Sequence, residues 1–113
     1  MISTHVLDVS IGRPAAGVTV TLEVFRHGAW IIASSARTDS DGRVLELAPP
    51  AHEDKPAAGR WRLVFETGAY FAAGGVASFY PQVVVEFEVL DPSQHYHVPL
   101  LLSPFGYTTY RGT

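Results

Sequence analysis

The 113-residue chain contains no cysteine. Disulfide staples, zinc–thiolate centres and thiol nucleophiles are therefore excluded. Charge is also scarce. Asp, Glu, Lys and Arg make up 17% of the residues, the formal net charge is -3, and Lys and Arg form no cluster. Neither nucleic acid nor an anionic membrane is expected as a partner. No apolar run approaches the length of a membrane span. The opening Met1-Ile2-Ser3-Thr4-His5 has neither a basic n-region nor a long apolar h-region, so no signal peptide is expected and a cytoplasmic protein is the simplest reading. A glycine-rich phosphate loop is missing. Ser103 precedes Pro104 and lacks the Gly-x-Ser-x-Gly surroundings of a nucleophile elbow, which argues against a serine hydrolase.

What the chain does have is apolar content, 47% of its residues. Its length suits one domain with one real core. That much apolar surface on so small a body points to an oligomer. Alternation of apolar and polar residues reads as strands over 3–9, 18–25, 30–37, 44–47, 60–67 and 83–90, with two more in the segment 95–113. Glycine, proline and aspartate clusters separate them: 12–17, 27–28, 38–43, 91–93 and 103–106. The stretch 48–59 reads as a surface loop. Gly68 to Gly75 suits a short helix closed by Gly74-Gly75. About eight strands, one helical turn and no internal repeat predict an antiparallel β-sandwich.

The faces of these strands differ in character. Tyr96, Val98, Leu100 and Leu102 share a core face, while His95, His97, Pro99 and Leu101 share the other. Ser3, His5, Leu7 and Val9 form a similar semi-polar face on the first strand. The final strand puts Thr108 and Tyr110 on one side and Tyr107, Thr109 and Arg111 on the other. A sheet face mixing His, Leu, Tyr and Thr fits a subunit interface lining a polar channel.

Imidazole titrates near neutral pH, so His5 and His97 are candidate acid–base groups, although a lone histidine is more often structural or solvated. His27 and His52 read as turn and loop residues. His95-x-His97 sets two imidazoles on one side of a strand. A closed metal site needs third and fourth ligands, and only Asp91 lies nearby in sequence, so no metal is expected. Asp39-x-Asp41-Gly42 begins like a calcium loop, but its twelfth position is Pro50 where a bidentate Glu is required. It reads as a turn, followed by Arg43, whose fork of donors suits a planar anionic or carbonyl-rich substrate, although composition alone favours a solvated turn residue.

Three motifs in order, Ser3-Thr4-His5-Val6-Leu7-Asp8, Thr38-Asp39-Ser40-Asp41-Gly42-Arg43 and His95 to Thr113, resemble the 5-hydroxyisourate hydrolase family, the transthyretin-like enzymes of urate breakdown. Thr67-Gly68-Ala69-Tyr70-Phe71 and Phe79-Tyr80-Pro81 add to the likeness. It runs the whole length, so residues 1–113 are expected to form one transthyretin-like hydrolase domain. The resemblance implies an all-β, transthyretin-like sandwich with one short helix. It also implies a homotetramer, a dimer of dimers, with active sites at the dimer–dimer interface. Catalytic roles fall by resemblance on His5, Arg43 and His97, and substrate binding on Tyr110, Arg111, Gly112 and Thr113. The family usually ends in Ser where this chain has Thr113; both carry a hydroxyl. The implied reaction is ring opening of 5-hydroxyisourate to 2-oxo-4-hydroxy-4-carboxy-5-ureidoimidazoline, without metal or organic cofactor. Transthyretin, the hormone carrier, shares the fold but has lysine at the position of His5 and threonine at that of His97, and lacks the Tyr-Arg-Gly ending. A small-molecule carrier and a structural β-sandwich domain are the competing readings, and the division of labour between His5 and His97 stays open.

Overall fold

The computed structural model describes residues 1–47 and 56–113. Most of the loop read over 48–59, with His52, lies outside the described residues. Among the described residues, ten strands and one helix follow in chain order: β1 (Ile2–Asp8), β2 (Arg13–Pro14), β3 (Thr19–Arg26), β4 (Ala29–Arg37), β5 (Arg43–Val44), β6 (Gly59–Phe65), α1 (Thr67–Ala73), β7 (Val83–Val89), β8 (Tyr96–His97), β9 (Leu100–Ser103) and β10 (Gly106–Thr109). They form two sheets. One is ordered β4-β3-β6-β7; in the other β1 is the hub, pairing with β2, β5, β8 and β9, and β10 extends β9.

The count exceeds the expected eight for two reasons. Arg13 and Pro14, read as part of a turn, pair briefly with Leu7 and Asp8. The strand expected from His95 onward is divided into β8 and β9, because Pro99 has no N–H to give to the ladder. Both pieces keep one register against β1, with Ile2 opposite Tyr96 and Val6 opposite Leu100. This pairing is parallel, a local exception in a sandwich that is otherwise antiparallel. A parallel neighbour cannot be joined by a hairpin, and here nearly the whole chain intervenes.

Alternation explains the core. Val20, Leu22 and Val24 of β3 are buried while Thr19, Thr21 and Glu23 are partly exposed. Trp61, Leu63 and Phe65 of β6 and Val6, Leu100 and Leu102 of the other sheet meet them in one cluster. Complete burial of an apolar side chain of this size stabilises the fold by about 1.5–3 kcal/mol. Helix α1 is too short to be held by propensity; it is seated by the buried Thr67 and Phe71. Among the described residues, no helix is long and apolar enough to cross a membrane.

The turn over 38–43 is tight. Asp39 Oδ1 accepts hydrogen bonds from the Asp41 and Arg43 N–H groups, both at 2.9 Å. Gly42 has φ 76°, and its carbonyl accepts the Val6 N–H at 2.7 Å. A Cβ at Gly42 would clash with the Val6 carbonyl oxygen. Gly12 also has a positive φ, 63°, but faces open space. Gly12→Ala should therefore show only backbone strain, about 1 kcal/mol. Gly42→Ala adds a collision with β1 and should lower the thermal midpoint by roughly 10 °C or more. Equal losses in a thermal melt of the two variants would refute this account of the turn.

Candidate active site

Strand β1 carries candidate residues to one place from both of its edges. Its register sets Ser3 opposite His97 of β8, and His5 opposite Arg43 of β5. Ser3, Arg43, Leu45, His95, His97 and Thr113 line a cavity of about 180 Å³. Alternation explains the grouping: Ser3 and His5 lie two residues apart and so share one face of the strand, while Thr4 and Val6 between and beyond them are buried.

The hydrogen bonds distinguish the histidines. His5 Nε2 is 2.9 Å from the Asp41 carbonyl oxygen. A carbonyl only accepts, so this nitrogen carries the proton. His5 is thereby tied to the turn that presents Arg43. His97 is held differently. Its Nδ1 is 2.8 Å from Ser3 Oγ, the same hydroxyl that meets His95 Nε2 at 2.7 Å. Its Nε2 has no partner among the described residues. Gly112 closes the other side: its N–H donates to the His97 carbonyl at 2.8 Å. A Cβ there would come within 2.6 Å of His97 Cδ2. Glycine is needed at 112 because an imidazole ring fills the space a side chain would take.

Burial pushes the His97 imidazole below its ordinary pKa, and the nearby Arg43, His95 and His5 push it the same way. Each factor disfavours a proton on the ring. His97 is thus a neutral base at neutral pH, half-buried and beside a guanidinium. Among the described residues, no group of three or more His, Asp or Glu side chains is placed to hold a metal ion. His95 and His97 meet through the Ser3 hydroxyl, with ring centroids 6.4 Å apart.

Not every expected residue lies at this cavity within one chain. Gly112 touches His97 and Thr113 lines the cavity. Tyr110 and Arg111 line a second hollow, with Phe87, Tyr96 and Thr109. Arg111 stacks over the Tyr96 ring, 4.6 Å from its centroid, and donates to Gln94 Oε1 at 3.0 Å. Sequence reasoning passed over Ser3 as a functional candidate. The signal was available: it shares the outward face of His5, in a strand whose inward residues close the core.

Comparison with known proteins gives a consistent picture. The model of the HIUase/Transthyretin family matches residues 2–112. A 5-hydroxyisourate hydrolase of Salmonella dublin is 43% identical over 113 residues, covering 100% of this chain and 81% of the relative. The structure of a Klebsiella pneumoniae 5-hydroxyisourate hydrolase superposes with a TM-score of 0.82 at 39% identity, over 99% of this chain and 98% of that one. Sea bream transthyretin in complex with thyroxine superposes with a TM-score of 0.88 at 30% identity, over 99% and 94%.

Two outcomes follow from the geometry. In a pH titration followed by NMR, His97 should titrate below the ordinary 6.5 of histidine. In Arg43→Gln its midpoint should rise, because a neighbouring positive charge is gone, yet stay below 6.5 because burial, the larger cause, remains. A midpoint unmoved by that substitution would remove Arg43 from the electrostatics of His97. Gly112→Ala should displace the His97 ring and disturb its resonances while leaving those of the distant His27 in place.

Proposed function

The chain belongs to the HIUase/Transthyretin family, and we propose that it opens the six-membered ring of 5-hydroxyisourate by hydrolysis. The substrate is the one named for the Salmonella and Klebsiella relatives. The observation that carries the chemistry is a neutral, half-buried His97 with a free Nε2, set in one cavity with Arg43. A base of this kind must be unprotonated at working pH and must reach a water molecule.

In this reading water attacks the C6 carbonyl and the N1–C6 bond breaks. His97 Nε2 removes a proton from the water as the oxygen–carbon bond forms. Negative charge develops on the C6 oxygen, where the Arg43 guanidinium offers paired donors and positive charge; a contribution of this kind is typically worth about 3 kcal/mol. His97 then passes its proton to the departing N1. His5, anchored through Nε2 to Asp41, assists by holding the Arg43 turn against β1. Thr113 and Gly112 form the wall beside His97.

The cavity in one chain, about 180 Å³, is smaller than the roughly 300 Å³ at which small-molecule sites usually begin. A second copy would supply the missing wall. Leu45 and Tyr110, 70% and 55% exposed, offer apolar surface for such a contact. The assembly in this reading is a homotetramer, a dimer of dimers, with sites at the dimer–dimer interface, where Tyr110 and Arg111 bind substrate. A ligand-carrying module is the second reading, favoured by the TM-score of 0.88 to the thyroxine-bound transthyretin. The higher identity to the hydrolases and the neutral imidazole of His97 in one cavity with Arg43 favour the enzyme.

Freshly generated 5-hydroxyisourate, followed by its ultraviolet decay, separates the two. The protein should accelerate the decay well beyond the spontaneous rate, and decay at the spontaneous rate would overturn the enzyme reading. His97→Asn should cost about 10²- to 10⁴-fold in kcat, and Arg43→Ala roughly 10²- to 10³-fold. The solution mass of the active species should be that of a tetramer; an active monomer would remove the interface from the mechanism.

A further inference from the structure

His97 stands two residues before Pro99, where its strand loses the ladder, and its aim depends on how that break is held. This inference rests on the reading of His97 as the base. The antiparallel pairing of β9 with β10 sets Leu100 opposite Thr109. Continued without slip, that register brings Pro99 opposite Tyr110 and His97 opposite Gly112. Proline cannot donate to a ladder, and neither Pro99 nor Tyr110 belongs to a strand. Yet His97 and Gly112 do pair, in an antiparallel bridge of their own. The register therefore passes through the break unchanged, and something other than ladder bonds carries it across.

Three consecutive carbonyls at the break each accept from a different donor. The Gly112 N–H donates to the His97 carbonyl at 2.8 Å. The Thr4 hydroxyl donates to that of Val98 at 2.6 Å, and the Thr109 hydroxyl to that of Pro99 at 2.8 Å. Thr4 lies on β1 and Thr109 at the end of β10, so the segment is held from both edges. Thr4 is 1% exposed and Thr109 is half-buried. Valine would fill much the same space at either position. What threonine adds is a hydroxyl for a carbonyl that would otherwise lack a partner.

We infer that Thr109 and Thr4 are positioning residues for His97. Their hydroxyls splint the Pro99 break, so that the imidazole keeps the register of the flanking strands and Nε2 keeps its place in the cavity. Both act through the backbone of residues 97–99 and take no part in bond making. A displacement of about 1 Å in a catalytic group can cost about 10²-fold in rate, and an unsupported break in a strand gives that freedom. Thr109 matters on two sides of the ring. It fixes the Pro99 backbone that follows His97, and it leads into Gly112, whose Cα faces the His97 ring and the Pro99 ring together: a Cβ there would lie 2.6 Å from His97 Cδ2 and 3.2 Å from Pro99 Cγ.

The test has an arm without substrate and an arm with it. In NMR of the resting protein, Thr109→Val should speed hydrogen exchange of the Gly112 amide about tenfold. It should also raise the His97 midpoint toward the ordinary 6.5 as the ring gains water. Arg43, His95 and His5, the charged or titratable groups around that ring, are untouched by the substitution. In the ultraviolet assay Thr109→Val should lower kcat about tenfold with KM within about twofold. Its thermal midpoint should fall by no more than about 5 °C. Thr109→Ser, which keeps the hydroxyl, should restore exchange, titration and kcat together. Thr4→Val should show the same kinetic split with a larger thermal loss, roughly 10 °C, because it orphans a buried carbonyl, and Thr4→Ser should reverse it. If Thr109→Val fails to fold, Thr109→Ala at the same half-buried position carries the same expectations. Full kcat without the Thr109 hydroxyl, a loss confined to KM, or equal losses in Thr109→Val and Thr109→Ser would overturn the splint. A wild-type protein inert toward 5-hydroxyisourate would overturn the hydrolase reading instead, and the exchange and titration measurements would still decide what Thr109 does to His97.

Discussion

Strand β1 is hydrogen-bonded along both edges, and the rest of the site depends on that. Its Val6 N–H and C=O are engaged by Gly42 and Ala15 on one side, while Val98 and Val9 tie it to the opposite neighbours through Ser3 and Leu102. Ile2, Thr4, Val6 and Asp8 are buried on its inner face. Because side chains alternate, the same register that seats those four turns Ser3 and His5 outward. A slip of one residue would bury the histidine and expose the valine. Core packing therefore fixes the geometry of the polar cluster, with no separate scaffold for it.

Placement along β1 also keeps opposite charges apart. Asp8, at the far end of the strand, is buried and satisfied by Ser10 and by the Tyr70 hydroxyl at 2.9 Å. Burial and the Asp8 contact push the Tyr70 phenol up to about 12, so it stays a donor. Five residues of strand separate Asp8 from Ser3, about 16 Å. Brought close to His97, a carboxylate would stabilise the imidazolium and work against a neutral base. Burial, and after it Arg43, His95 and His5, instead disfavour a proton on the ring. The positive charge of Arg43, the second of these causes, is also what a developing oxyanion would need in the proposed reaction. One electrostatic arrangement serves both demands.

Most of the architecture was legible because it rests on period-two patterning. Val20, Leu22 and Val24 announce a half-buried strand without any tertiary information, as do Trp61, Leu63 and Phe65. The Asp39–Gly42 turn was legible for a similar reason, since its hydrogen bonds are local. Long-range facts were not. Nothing in residues 95–103 says that they pair with β1 in parallel, because that choice is made by the packing of two sheets brought together across the whole chain. Pro99 marked a break in a strand only once the neighbour on that edge was known. In the site, His5, Arg43 and His97 could be singled out by type and by resemblance. Ser3 was passed over although strand alternation put it on the His5 face, because a serine announces no chemistry until two imidazoles are found on its hydroxyl. Arg111 shows the converse: resemblance implied a substrate contact, and within one chain it stacks on Tyr96 and bonds Gln94.

The backbone alone does not say which member of its family this chain is. It superposes on a thyroxine-bound transthyretin at least as well as on a hydrolase, 0.88 against 0.82 in TM-score. A fold that accommodates both is neutral between them, and the decision passes to side chains on one face of β1, β5 and β8. There the requirements interlock. Gly112 is bare because the His97 ring fills its space, and the ring stands there because Ser3 holds its Nδ1. Arg43 reaches the same cavity because Gly42 lets the turn close against Val6. Removing the histidine from this arrangement would leave Gly112 facing an empty volume and Ser3 with one partner instead of two. The local sequence is therefore specialised around an imidazole at position 97, and a carrier with the same backbone would have no need of either neighbour.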